Sequence, residues 1–358
     1  MKRLLPVLIA GTLAWFIGAC GGDDDDNSSQ GDGGASGGDA DTDADADTDT
    51  DADADTDTDT DTDADTDTDA DGGTEPQTCT AEGLDPGEHT FEIEHDGVTR
   101  EYLVYVPTGL DNEAWAPLVL NFHGYTSNMS DQSFFSNMNP NADKSGFVVA
   151  YPQGLINESD QTTSWNAGTC CAFGEPERDD VGFVRALVED LSNKQCIDEK
   201  RIYSTGMSNG GFMSHRLACE ATDLIAAIGP VAGVLGLEKE ECTPSRAIPV
   251  IHFHGTADAV VMYGEEDLPG MFMSVPDTIN AWVDLNECTG EPEETLQSGK
   301  ATCETYKTCK DGVEVTLCTI EEMGHCWPGQ AYCGSDVSNT DISANDVMWE
   351  MFERFSLP

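Results

Sequence analysis

Short apolar runs alternate with stretches of helical spacing through most of the chain. Thr90–Glu94 and Glu101–Val106 read as an opening, antiparallel pair of strands. Leu118–Phe122, Phe147–Tyr151, Ile202–Thr205, Ala226–Val231, Ile248–Phe253 and Val313–Ile320 follow as further strands. The middle runs are almost wholly apolar, as parallel strands covered on both faces require. Helices are predicted at Asp180–Asn193, Asn209–Glu220, Thr278–Asn286 and Ala344–Phe355. Strand–helix alternation of this kind implies an α/β class fold, a doubly wound and mostly parallel sheet with right-handed crossovers. Reactive groups in such sheets collect in loops at the carboxyl ends of strands.

The pattern fails before residue 76, and composition explains why. Lys2 and Arg3 precede an apolar run from Leu4 to Ile17, and Gly18-Ala19-Cys20 supplies small residues ahead of a cysteine. Residues 1–19 therefore read as an export signal too short to span a membrane. The site resembles the bacterial lipobox, which implies that Cys20 becomes the lipid-bearing N-terminus; plain secretory cleavage near Ala19 is the simpler alternative. Residues 20–75 read as a tether, with Asp at every odd position from 41 to 71. Nothing apolar there offsets the entropy of ordering, and like charges repel, so an extended disordered segment is expected. Asp67-Thr68-Asp69-Ala70-Asp71-Gly72 resembles the start of a calcium loop, but the twelfth position is Thr78, which cannot supply the bidentate carboxylate. The remaining stretch, 76–358, has the length of one large α/β domain.

Charge narrows the partners. The formal net charge is −53. The tether's aspartates and Glu75, offset by Lys2 and Arg3, account for −21 of this, leaving −32 on residues 76–358. Such a surface argues against nucleic acid and leaves neutral esters and polysaccharides open. Of 13 cysteines, setting Cys20 aside leaves an even number, which in an exported body reads as disulfides. Adjacent Cys170 and Cys171 are expected to bridge different partners, while Cys219–Cys242 and Cys326–Cys333 are the pairs proposed from spacing. No Cys/His spacing points to zinc. His252 and His254 share one strand face, but no third ligand is evident, so no metal is assigned.

The chemistry is concentrated at Gly206-Met207-Ser208-Asn209-Gly210-Gly211, which lies between a strand and a helix. Gly-x-Ser-x-Gly in that setting is a nucleophile elbow, a turn so tight that only small neighbours fit. The following helix offers its N-terminus to a developing oxyanion. A glycine-rich turn with an incidental serine is the plainer reading. After the strand ending at Phe122, His123-Gly124-Tyr125 can turn a backbone N–H toward the serine. The amides of Tyr125 and Asn209 are thus the candidate oxyanion hole, with His123 a brace for the loop. Asp258 follows another strand, where a carboxylate can orient an imidazole; the alternative is an Asp capping its own turn. His325 follows the last strand among glycines and a proline, as a general base. Ser208, Asp258 and His325 occur in the order Ser, Asp, His.

These motifs, with Asp179-Asp180-Val181-Gly182-Phe183, His254-Gly255-Thr256-Ala257-Asp258 and His325-Cys326-Trp327-Pro328-Gly329, resemble the secreted feruloyl esterase and polyhydroxybutyrate depolymerase family from about Cys79 onward. The resemblance implies an α/β-hydrolase fold and serine-dependent ester hydrolysis without cofactor. It further implies Ser208 as nucleophile, Asp258 as orienting acid and His325 as base. Two departures bear on substrate. One branch of feruloyl esterases and tannases bridges a cysteine before the serine to one after the histidine, whereas here Met207 precedes Ser208 and Cys326 needs another partner. Depolymerases of solid polyester often carry an added binding domain, which is not seen after Pro358. Both favour soluble or cell-wall esters, with feruloylated plant polysaccharide (xylan) foremost and hydroxyalkanoate polyester as the alternative. A non-catalytic surface binding protein on the same fold is the reading from another class. A monomer at the cell surface, touching the membrane only through its lipid, is the expected state. Trp165, Tyr263 and Trp327 are aromatic groups able to stack on an acyl or sugar ring, or to serve as ordinary packing.

Overall fold

The computed structural model describes residues 79–358 apart from 112, 159, 172–177 and 265–271. The signal segment, Cys20, the acidic tether and the calcium-like run ending at Thr78 lie outside the described residues.

The first hairpin joins β1 (Gly87–His95) to β2 (Val98–Val106). Asp96 and Gly97 both take positive φ at its tip, the backbone that a two-residue hairpin demands and Asp-Gly supplies. β3 (Ala116–Phe122), β4 (Val148–Pro152), a small pair β5 (Leu155–Ile156) and β6 (Thr163–Ser164), and β7 (Ile197–Met207) follow. The remaining strands are β8 (Ala227–Val231), β9 (Val250–Gly255), β10 (Glu293–Ser298), β11 (Ala301–Tyr306) and β12 (Val315–Ile320). Ten of them form one sheet in the order β1-β2-β4-β3-β7-β8-β9-β12-β11-β10. From β4 through β12 neighbours are parallel, and the strands at both ends pair antiparallel.

Among the described residues, six helices cover the sheet: α1 (Met129–Ser136), α2 (Asn139–Ser145), α3 (Asp180–Ser192), α4 (Asn209–Glu220), α5 (Val275–Leu285) and α6 (Ala344–Phe352). Alternate strand residues feed two separate cores, which is why the central runs are apolar throughout. Leu118, Leu120, Ile202 and Ile228 pack with Phe183 and Leu187 of α3, Phe212 and Leu217 of α4, and Trp282 of α5. Val119, Tyr203 and Phe253 face the other way, with Ala142 of α2 and Met348 and Phe352 of α6. Each fully buried Phe or Leu contributes about 1.5–3 kcal/mol through apolar area removed from water. Caps fix the helix starts: Asp179 accepts from the Gly182 N–H at 2.8 Å, and Ser274 with Pro276 starts α5 three residues before the apolar spacing indicates.

The expected strands and helices form, and α4 occupies the residues read for it. α1, α2, the β5–β6 pair and the β10–β11 ribbon are additional to that reading. The ribbon β10–β11 has a polar face open to water, so its alternation carries little apolar signal. α1 reads Met-Ser-Asp-Gln-Ser-Phe-Phe-Ser, with too few apolar positions to show a period, and is set instead by the Asn128 cap and left-handed Asn137.

Twelve cysteines pair in six disulfides: Cys79–Cys196, Cys170–Cys171, Cys219–Cys242, Cys288–Cys309, Cys303–Cys318 and Cys326–Cys333. The pairs 219–242 and 326–333 are those spacing proposed. Cys170 and Cys171 bond to each other, contrary to expectation, because every other described cysteine is engaged with a partner close to it in the fold. Six disulfides fit a chain that leaves the reducing cytosol.

Candidate active site

β7 delivers Ser208 to the carboxyl edge of the sheet, and α4 leaves directly from it. Ser208 has φ 57° and ψ −123°, a positive-φ backbone that costs a non-glycine residue on the order of 1–3 kcal/mol. The surroundings hold it there: its N–H donates to the Val231 carbonyl at 2.9 Å, and its carbonyl accepts from the Phe212 N–H at 3.0 Å. The flanking glycines are required by space. A Cβ on Gly206 would lie 2.6 Å from the Phe122 carbonyl oxygen, and one on Gly210 would collide with the same carbonyl.

The loop after β3 lies against the serine, since a Cβ on Gly124 would sit 3.3 Å from the Ser208 Cβ. His123 braces this loop from beneath. Its Nε2 accepts the Gly154 N–H at 2.9 Å, so Nδ1 must carry the proton it donates to the Gly124 carbonyl at 2.7 Å. Burial pushes the imidazole down to about 4, consistent with this neutral tautomer. The Asn209 side chain adds a second brace, accepting from the Trp165 N–H at 2.7 Å and donating to the Trp165 carbonyl at 3.1 Å. Trp165 in turn donates its indole N–H to the His123 carbonyl at 2.9 Å. The Asp179-Asp180 motif serves the same loops: buried Asp180 pairs with Arg100 at 2.9 Å and accepts the Asn166 N–H at 2.7 Å.

Asp258 leaves β9 and is buried. Its Oδ1 accepts the N–H groups of Val260 and Val261 at 2.8 and 2.9 Å, and its Oδ2 accepts from His325 Nδ1 at 2.7 Å. Burial alone would raise this carboxyl, but hydrogen bonds from His254 and His325 outweigh it and hold the group well below the usual carboxylate range. The Asp therefore caps its own turn and accepts from an imidazole at once. His325 sits on a loop closed by Cys326–Cys333 and anchored by the Trp327 indole N–H to Asn345 Oδ1 at 2.9 Å. His252 and His254 bond to each other at 3.1 Å behind Asp258.

Ser208, His325 and Tyr125 line one cavity of about 220 Å³. Its walls are largely apolar and aromatic: Phe135 from α1, Met207, Trp327 and Tyr332. Phe135 and Tyr332 are 38% and 67% exposed, whereas Trp327 is a buried part of the wall, Trp165 is buried packing and Tyr263 bonds Thr319 at 2.7 Å. Phe135 and Tyr332 escape a sequence reading because neither sits in a motif; only the elements brought beside His325 place them at the cavity.

Residues 100–265 match the family described as Esterase PHB depolymerase. Feruloyl esterase B of Piromyces equi is 34% identical over 72% of this chain and 46% of its own length. The bifunctional acetylxylan esterase/xylanase of Neocallimastix patriciarum is 28% identical over 64% of this chain and 31% of its own length. The chain thus spans less than half of these relatives. Among solved structures, acetyl xylan esterase from Aspergillus awamori aligns with a TM-score of 0.53 at 15% identity, over 74% of this chain and 99% of that one, a likeness that bears on the fold alone. By its sheet the chain has the α/β-hydrolase fold, and over residues 100–265 it is similar to the Esterase PHB depolymerase family.

Proposed function

We propose that this protein is an exported carboxylic ester hydrolase of feruloyl-esterase type, with Ser208 as nucleophile, His325 as general base and Asp258 as the carboxylate that orients it. The observation that carries the reading is the 2.7 Å bond from His325 Nδ1 to Asp258 Oδ2 at the wall of the cavity that also holds Ser208. With Nδ1 committed as donor, Nε2 is the ring atom left to take the serine proton. Ser208 then attacks the ester carbonyl, and the Tyr125 and Asn209 amides hold the oxyanion. His325 returns the proton to the leaving alcohol, and water releases the acid by the same route. Asp258 stabilises the imidazolium that forms, which is why its low proton affinity matters.

The likeness to a feruloyl esterase and to an acetylxylan esterase supports acyl groups on plant polysaccharide, xylan foremost, as the substrate class. A cavity of about 220 Å³ with Phe135 and Tyr332 in its wall suits one aromatic acyl group, with the sugar outside. The family description keeps a hydroxyalkanoate polyester as the second substrate. Neither reading calls for a cofactor or a metal. On the N-terminal side, a lipid on Cys20 with an acidic tether would hold a monomeric catalytic body at the cell surface. Labelling with a fluorescent organophosphonate tests the core of the reading: a single adduct on Ser208, absent from Ser208→Ala, is expected. An unlabelled wild-type protein would return it to a binding role.

A further inference from the structure

A row of buried histidines stands behind the carboxylate that the proposed mechanism uses. His254, on β9, has both ring nitrogens engaged and no exposure. Its Nε2 lies 2.7 Å from the Val261 carbonyl and 3.4 Å from Asp258 Oδ2. Both are acceptors, so Nε2 carries the proton and points it between them. Nδ1 is then bare and accepts from His252 Nε2 at 3.1 Å, the two rings lying parallel to within 2°. His252 Nδ1 ends the row without a partner among the described residues. The Val261 carbonyl that His254 holds belongs to the same residue whose N–H donates to Asp258 Oδ1.

We propose that His254 is a positioning residue for the ester hydrolysis: its fixed Nε2–H locks the 258–261 turn and steadies the Asp258 oxygen that faces His325. The inference rests on the assignment of Asp258 and His325 made under Proposed function. Asp258 meets four N–H groups, two from backbone and one from each of two imidazoles. His325 approaches from the solvent side and His254 from the interior. Among the described residues, the charges and titratable groups around His254 are few. Asp258, His252 and Tyr263 face its ring, His215 stands behind His252, His325 lies across Asp258, and Glu304 lies beyond Tyr263. Burial and the neighbouring histidines keep His252 well below its ordinary proton affinity, so it faces His254 Nδ1 as a neutral donor.

A turn that only needs filling and a turn that needs this N–H respond differently. Without the donor, Asp258 Oδ2 becomes more basic and draws the His325 proton more strongly, so the acid limb of kcat/KM moves to higher pH. Full-length wild type, His254→Leu and His254→Gln are compared on p-nitrophenyl acetate, with Ser208→Ala as reference. His254→Leu is expected to lose roughly 10- to 100-fold in kcat with little change in KM, the scale of a misplaced catalytic group. Its acid limb is expected to rise by about half a pH unit, since one donor to a carboxylate is removed. His254→Gln, whose amide N–H reaches the Nε2 position, should recover most of both. Nitrogen-15 NMR of the wild-type histidines reads the same claim without a variant, in case Leu prevents folding. Among the ring nitrogens found with the proton on Nε2, one set is expected to be missing in His254→Gln. A His254→Leu protein with wild-type kcat and pH profile, or a His254 ring protonated on Nδ1, overturns the proposal. Activity persisting in Ser208→Ala would instead overturn the catalytic assignment beneath it.

Discussion

Replacing Asp258 by Asn is the sharpest single perturbation of the site, because the structure dictates which way the new amide must turn. Oδ1 receives two backbone N–H groups at 2.8 and 2.9 Å, and an NH₂ placed there would face two donors that cannot rotate away. The amide nitrogen must therefore take the Oδ2 position, 2.7 Å from His325 Nδ1. Nδ1 is then forced to accept, the ring proton moves to Nε2, and the base can no longer take the Ser208 proton. A mis-set tautomer with intact geometry costs about 10⁴ in kcat, or roughly 5–6 kcal/mol of transition-state stabilisation. The assay is steady-state hydrolysis of p-nitrophenyl acetate at pH 7.5, with far- and near-ultraviolet circular dichroism to show that the fold is retained. Asp258→Asn activity within tenfold of wild type would refute the reasoning. So would a full loss in which nitrogen-15 NMR still finds the His325 proton on Nδ1.

Three further outcomes follow from the same contacts. Burial depresses His123 to about 4 and His215 to about 3, so the unfolded chain, with ordinary histidines, takes up protons first as the pH falls. Their stabilisation is complete above about pH 6.5 and is lost on descending toward pH 4, up to about 3 kcal/mol from His123 alone; urea unfolding across that range, with a shallower slope for His123→Gln, checks it. Loop-closure entropy makes the Cys79–Cys196 bridge, 117 residues apart, worth about 5 kcal/mol, and the Cys326–Cys333 bridge, 7 apart, about 2.5 kcal/mol. Double Cys→Ser variants should rank that way in urea midpoint but the opposite way in kcat, because only the second bridge closes the His325 loop. Phe135→Ala and Tyr332→Ala should each raise KM for methyl ferulate several-fold, losing about 0.5–1.5 kcal/mol of ring contact, while leaving p-nitrophenyl acetate nearly untouched.

The serine, the carboxylate and the imidazole were legible because each is announced by its neighbours. Gly206 and Gly210 are there because any side chain would strike the Phe122 carbonyl, and the sequence displays that constraint directly. Asp258 and His325 sit just past apolar strands, where a parallel sheet gathers its loops. The bracing of His123 was legible for the same reason. What stayed hidden depends on partners distant in sequence. His254 was visible as one of two histidines on a strand face, but that its Nε2 points at Asp258 depends on how the 258–261 turn curls back. Phe135 and Tyr332 reach one cavity from α1 and from the loop after His325, almost 200 positions apart, and no local pattern joins them. Adjacency favoured different partners for Cys170 and Cys171, and their mutual bond depends on where the other described cysteines lie in the fold.

The most direct test of the central claim is turnover of methyl ferulate beside a short 3-hydroxybutyrate oligomer, by the full-length protein and by Ser208→Ala. The account predicts ferulate release by the wild type, weaker or no action on the oligomer, and no turnover of either by the variant. Turnover that survives in Ser208→Ala, or a wild type that cleaves the oligomer and leaves ferulate untouched, would contradict it.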